Sequence, residues 1–222
     1  MKKNKPLLIF DVNETLLDLS PLEAEINSAM GNDQASAVWF SKLLHYSLVE
    51  TVCGHYHDFS EIGLRVFEMI QENYGRSLGS EQIKKMLSRI SELHPHPEVP
   101  RVLRELRENS FELIALSNGK PEILEQQLKY SNISQYFQHI ISIEECKKYK
   151  PHAATYKYAL KKADRDADDA YMIAAHGWDI AGAAYAGLKT VFVGRKKLPY
   201  PLAPEPNHIV QDLKGLKGIF TK

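Results

Sequence analysis

Leu7-Leu8-Ile9-Phe10-Asp11-Val12-Asn13-Glu14-Thr15-Leu16-Leu17 is the stretch that decides the fold. Four apolar residues end abruptly at Asp11, and polar residues follow at once. A short apolar run bounded this way suits a buried parallel strand. Asp11 then falls at the carboxyl edge of a sheet, where open α/β folds place their ligands. A carboxylate there can act as a nucleophile. The position two residues on steers the chemistry, and it is Asn13.

The rest of the chain supports that reading. From Pro21 to about Leu93 the pattern is helical: Val38, Trp39, Leu43, Tyr46 and Val49 recur at helical spacing, as do Ile62, Val66, Met69 and Ile70. A helix start at Ser80 runs to Leu93, and His94-Pro95-His96-Pro97 breaks it. We read that break as a hinge rather than a metal site. Strands and helices then alternate. Helices are expected over Val99–Asn109, Pro121–Tyr130, Ala153–Ala163 and Ile180–Ala186. Strands are expected over Phe111–Leu116, His139–Ser142, Ala170–Ala175 and Thr190–Val193, with an edge strand near Pro206–Val210. This is the pattern of a Rossmann-like parallel sheet with helices on both faces. The expected division is a catalytic core of residues 1–19 and 95–222, with residues 20–94 inserted as a helical cap.

Composition bounds the function. With 28 basic and 28 acidic residues the formal net charge is +0, which argues against a nucleic-acid or anionic-membrane surface. Cys53 and Cys146 stand in no metal-like spacing and read as unpaired thiols of a reducing cytoplasm. The basic start Met1-Lys2-Lys3-Asn4-Lys5-Pro6 does not lead into a signal-peptide core, and no segment reaches membrane-span length. A cytoplasmic enzyme with a small-molecule substrate is the expectation.

Four polar clusters follow strands or sit in nearby loops: Asp11–Thr15, Ser117-Asn118-Gly119, Lys150-Pro151 and His176-Gly177-Trp178-Asp179. In this order they resemble the haloacid dehalogenase superfamily, over essentially the whole chain. A closer likeness is to its L-2-haloacid dehalogenase (type II) branch, carried by Trp39, Leu44, Tyr46, Tyr56-His57-Asp58-Phe59, Tyr149-Lys150-Pro151 and Tyr156. The resemblance implies a hydrolase that turns (S)-2-haloalkanoic acids into (R)-2-hydroxy acids through an Asp11 ester, with no metal or other cofactor. It also implies a homodimer through cap helices.

The resemblance and the residue chemistry together assign expected roles. Asp11 is the nucleophile. Lys150 keeps it ionised and offsets repulsion from a substrate carboxylate, whereas Lys147 and Lys148 read as solvated. Asp179 orients Lys150; it lacks a neighbouring acid, which makes a poor Mg²⁺ site. Ser117, Asn118, Val12 and Asn13 bind substrate, the Ser117 hydroxyl and loop N–H groups holding its carboxylate. Superfamily phosphatases carry a second acid at Asn13, which an amide cannot replace as a proton donor. His176 and Glu14 stand where the familiar dehalogenases have Asn and Gly. A Glu14–His176 dyad is therefore expected to activate the water that clears the ester.

Phe40 replaces the branch's halide-contacting Arg. An apolar cradle of Phe40, Leu44, Phe59 and Trp178 is expected instead, favouring longer alkyl chains and bromide or iodide over fluoride. Tyr156 and Trp178 are candidate walls of the site. Two rivals remain: a Mg²⁺-dependent phosphatase of the same superfamily, and a non-catalytic binding protein with a degenerate pocket.

Overall fold

The computed structural model describes residues 5–195 and 197–221. The basic stretch Met1–Asn4 lies outside them. Among the described residues a six-stranded, all-parallel sheet is formed by β1 (Leu7–Phe10), β2 (Leu113–Ser117), β3 (His139–Ser142), β4 (Ala170–Ala174), β5 (Lys189–Val193) and β6 (His208–Val210). Their order is β3-β2-β1-β4-β5-β6. All four residues of β1 are buried, as a central strand covered on both faces requires. The order reverses on either side of β1, so the ends of β1, β2 and β4 open onto one crevice.

Between β1 and β2 the chain makes α1 (Ser20–Met30), α2 (Ala35–Cys53), α3 (Phe59–Gln71) and α4 (Ser80–Leu87), then α5 (Val99–Glu108). The segment after α4 tightens into a 3-10 turn over Ser88–Glu92, so the helix expected to run to Leu93 stops early. Asp58 caps α3, its Oδ1 accepting from the Ser60 and Glu61 N–H groups at 3.0 Å. On α2 the buried stripe is Ala35, Trp39, Leu43, Ser47 and Thr51, not the expected Tyr46 and Val49, which are exposed. Two polar residues can face inward because each is satisfied. Ser47 Oγ donates to Leu43 O at 2.7 Å, and Thr51 Oγ1 accepts from Tyr149 N at 3.0 Å.

Three contacts from the loop preceding Lys150 tie these helices to the sheet. Beside the Thr51 bond, Lys148 Nζ donates to Thr51 O at 3.0 Å and Tyr149 Oη donates to His57 O at 2.5 Å. Lys148 is thus a bridge and not a solvated lysine. Helices α6 (Pro121–Tyr130), α7 (Ala153–Ala163), α8 (Gly177–Tyr185) and α9 (Leu216–Phe220) complete the chain. Helix α8 begins three residues before the expected Ile180, with His176 at its N-cap position. No described helix is long and apolar enough to cross a membrane.

Candidate active site

Asp11 leaves β1 as the chain enters a tight turn. The Leu16 and Leu17 N–H groups donate to Val12 O at 2.8 and 3.1 Å, and Glu14 N donates to Leu17 O at 2.9 Å. The turn forces Glu14 to φ 61°. That left-handed conformation costs a non-glycine residue about 1–2 kcal/mol, so this side chain is held at the expense of backbone strain.

Asp11 is buried, and both its oxygens are engaged. Oδ1 accepts from Lys150 Nζ at 2.7 Å; Oδ2 accepts from Thr15 Oγ1 at 2.7 Å and from His176 Nδ1 at 3.1 Å. Burial alone would raise its pKa, but the Lys150 charge and then His176 outweigh it and hold the carboxyl well below the usual range. The group is an ionised carboxylate at neutral pH. Lys150 is fully buried, and its Nζ donates also to Asp179 Oδ2 at 2.7 Å and to Leu116 O at 3.1 Å. Burial opposes its charge, yet Asp11 and Asp179 carry its pKa above the ordinary value. Tyr156 Oη in turn donates to Asp179 Oδ1 at 2.6 Å. Tyr156 is buried behind Asp179, so it positions that carboxylate and does not wall the pocket.

His176 ends the loop after β4. Its Nε2 lies 2.5 Å from Glu14 Oε2, and Lys197 Nζ donates to Glu14 Oε1 at 2.5 Å. Burial would lower the imidazole pKa, but the bonds to Asp11 and Glu14 raise it to about 9. In the resting protein His176 therefore carries a proton on each nitrogen. Glu14 is pushed up by burial and pulled further down by His176 and Lys197, so it is ionised. The expected dyad does meet, but as an imidazolium between two carboxylates and not as a ready base.

A cavity of about 20 Å³ lies against Asp11, bordered by Asn13, Phe40, Leu44, Phe59, Ser117, Asn118, Lys150, His176 and Trp178. All but three of the expected catalytic and substrate-binding residues are on this border: Val12, Asp179 and Glu14, which meets it through His176, are not. Val12 is the first exception. Its side chain is fully buried outside the cavity and only its backbone shapes the turn. Asp179 is the second, reaching the cavity through Lys150. Asn118 Oδ1 accepts from Lys150 N at 2.9 Å, which orients the amide so that its NH₂ end is the one left to meet a ligand. Ser117 Oγ accepts from Gly119 N at 3.1 Å and keeps its own proton to donate. Asn13 Oδ1 is occupied by Gln127 Nε2 at 2.9 Å.

The Trp178 ring stacks on the imidazole at a centroid distance of 5.1 Å, and the Phe40 ring lies tilted to it by 33° at 5.9 Å. A volume of 20 Å³ holds about one water, and Phe40, Leu44, His176 and Trp178 also line a second cavity of about 410 Å³. His96 Nε2 meets Glu14 O at 3.2 Å and so ties the turn to the His94–Pro97 segment. Among the described residues, no group of three His, Cys, Asp or Glu side chains is placed to hold a metal ion.

Thr15 was expected only as the end of the first polar cluster, with no role of its own, and Lys197 and Gln127 were not expected in the site. Thr15 had a signal, since its hydroxyl follows Asp11 by one turn of chain and also accepts from Ala175 N at 2.9 Å. Lys197 had none.

Residues 6–187 match the family described as haloacid dehalogenase-like hydrolase. Among curated proteins the chain is 28% identical over 218 residues to (S)-2-haloacid dehalogenase 1 of Pseudomonas sp. (strain CBS-3), covering 96% of each. Among solved structures it superposes on a dehalogenase crystallised as an intermediate complex with TM-score 0.90, at 26% identity and full coverage of both chains. A similar fold, with TM-score 0.90 at 20% identity over 97% of this chain and 98% of the other, is that of L-2-haloacid dehalogenase from Xanthobacter autotrophicus with chloropropionic acid covalently bound.

Proposed function

Because the chain belongs to the haloacid dehalogenase-like hydrolases, we propose that it is a hydrolytic (S)-2-haloacid dehalogenase working through an ester on Asp11. One observation carries this reading: a buried, ionised Asp11 beside Lys150, with the amide of Asn13 where a phosphatase would need an acid. In the reaction an Asp11 oxygen attacks C2 of the substrate from the face opposite the halogen. The C–X bond breaks, halide leaves, and configuration inverts. Water then adds to the ester carbonyl of Asp11, and the ester's C–O bond to that carbonyl carbon breaks, releasing an (R)-2-hydroxy acid.

Lys150, oriented by Asp179, keeps Asp11 charged and draws in the substrate carboxylate, which the Ser117 hydroxyl and Asn118 amide hold. Phe40, Leu44, Phe59 and Trp178 line the path of the departing halide. His176, held by Glu14, deprotonates the water once its own proton has gone.

The test is halide release from the separate enantiomers of 2-bromopropanoate, with and without a chelator. Halide from the (S) acid only, unaffected by chelation, is expected. Phosphate release from sugar phosphates that needs Mg²⁺, with no halide release, would overturn the reading in favour of a phosphatase. Activity toward neither substrate class would favour a binding protein.

A further inference from the structure

His176 is set between two groups that can only accept. Asp11 Oδ2 lies 3.1 Å from Nδ1, and Glu14 Oε2 lies 2.5 Å from Nε2. Each carboxylate has a lysine of its own, Lys150 on Asp11 and Lys197 on Glu14. An ionised carboxylate has no proton to give, so both bonds exist only if both ring nitrogens carry hydrogen. The remaining neighbours of the ring, Phe40 and Trp178, are uncharged. The consequence for hydrolysis is direct. Nδ1 is the nitrogen that faces the reacting carboxylate, and in the resting protein it cannot take a proton from water.

We propose that formation of the Asp11 ester itself turns His176 into a base, by removing the negative charge that holds the Nδ1 proton, so that this proton leaves to solvent before water attacks. The step rests on Asp11 being the nucleophile. The balance is as follows. Carboxylate and organic halide give ester and halide ion, with no proton made or used. The imidazolium then loses its Nδ1 proton to bulk water and keeps the Nε2 proton donated to Glu14. In hydrolysis Nδ1 takes a proton from the attacking water, the ester C–O bond breaks and Asp11 regains its charge. The departing alkoxide is protonated by the second proton of that water, leaving the imidazolium and ionised Asp11 with which the cycle began. One proton is released per turnover, as the overall hydrolysis requires, and it is released early.

The surroundings make an exit available. His176 also borders a second cavity of about 410 Å³ on the side of α1 and α2, shared with Glu14, Glu23 and Lys197 and rimmed by the exposed Ser41 and Leu198. That cavity brings solvent to the Glu14 side of the ring, while the Nδ1 proton leaves through water in the cavity beside Asp11. Charge agrees with geometry: burial lowers the imidazole pKa and two carboxylates hold it up to about 9. With Asp11 discharged, Glu14 alone opposes burial.

The experiment is ¹⁵N NMR of histidine-labelled protein, with His176 assigned among the 9 histidines from the spectrum of His176→Asn. Wild type at pH 7.5 should show both His176 nitrogens protonated. Asp11→Asn, a neutral isostere of the esterified side chain, should show a neutral ring protonated on Nε2, its titration midpoint lower by about two pH units. An imidazolium that persists in Asp11→Asn at pH 7.5, or a neutral ring in wild type, overturns the proposal. Asp11→Ser serves if Asp11→Asn does not fold.

Turnover gives the second reading. With a pH indicator in weak buffer at pH 6, low enough that Asp11 alone keeps the ring protonated, Glu14→Gln should accumulate ester and release most of a proton per site as it does so. Protons appearing only with hydroxy acid overturn the proposal. Absence of any ester by mass spectrometry would instead count against Asp11 as nucleophile, and the NMR result does not depend on it.

Discussion

Raising the pH should remove a measurable part of this protein's stability through one side chain. His176 has an ordinary pKa of 6.5 that the fold raises to about 9. A group whose pKa is raised by folding stabilises fully below the unfolded value and loses that contribution as pH rises through the folded one. The window is therefore pH 6.5 to 9. Each pH unit of it is worth about 1.4 kcal/mol, so the contribution lost is about 3 kcal/mol. His176 is 5% exposed, so solvent screening removes little of this.

The assay is urea unfolding of wild type and His176→Asn between pH 6 and 10. Asp11 and Glu14 are ionised throughout, and Lys150 is charged throughout, so subtracting the variant isolates the imidazole. The wild-type advantage should shrink by about 3 kcal/mol across the window, or roughly 1.5 M in midpoint at a slope of about 2 kcal/mol per M. A difference between the two proteins that stays constant from pH 6 to 10 would refute the imidazolium clamp.

Other substitutions probe the rest of the site. Lys150→Met leaves Asp11 and Asp179 buried with no cation between them; it should cost about 3–5 kcal/mol in chemical denaturation and lower halide release at least ~100-fold. Glu14→Gln should leave ester formation largely intact and slow its hydrolysis about 100-fold, so that mass spectrometry finds the adduct. Gly182→Ala would place a Cβ 2.3 Å from Pro151 Cβ and 2.8 Å from Tyr156 Oη. Because the loop carrying Lys150 and the support of Asp179 must both shift, it should lose about 1–3 kcal/mol of stability along with activity, as thermal unfolding and halide assays would record.

Much of this site could be read in the sequence, because the fold turns chain order into proximity. Once Leu7–Phe10 is a central parallel strand, the loops after β2, β3 and β4 must bring Ser117, Lys150 and His176 toward Asp11. What escaped was whatever depends on side-chain direction or on loops without periodicity. Val12 adjoins the nucleophile, yet its side chain turns into the core. Trp178 and Asp179 read as loop, since a glycine precedes them, but α8 already includes both. On α2, hydrophobicity favoured Tyr46 and Val49 over Ser47 and Thr51; the partners Leu43 O and Tyr149 N that let the polar pair face inward cannot be seen from composition. Lys197 is 183 residues from Glu14, in a proline-bearing loop with no pattern to place it.

The covalent step is the centre of the account, and a single turnover in ¹⁸O water with enzyme in excess tests it most directly. The ester route puts unlabelled oxygen from Asp11 into the 2-hydroxy acid and ¹⁸O into the Asp11 side chain, visible in the peptide that contains it. Labelled product with unlabelled Asp11 would mean that water attacks the substrate itself, and would contradict the role given to Asp11.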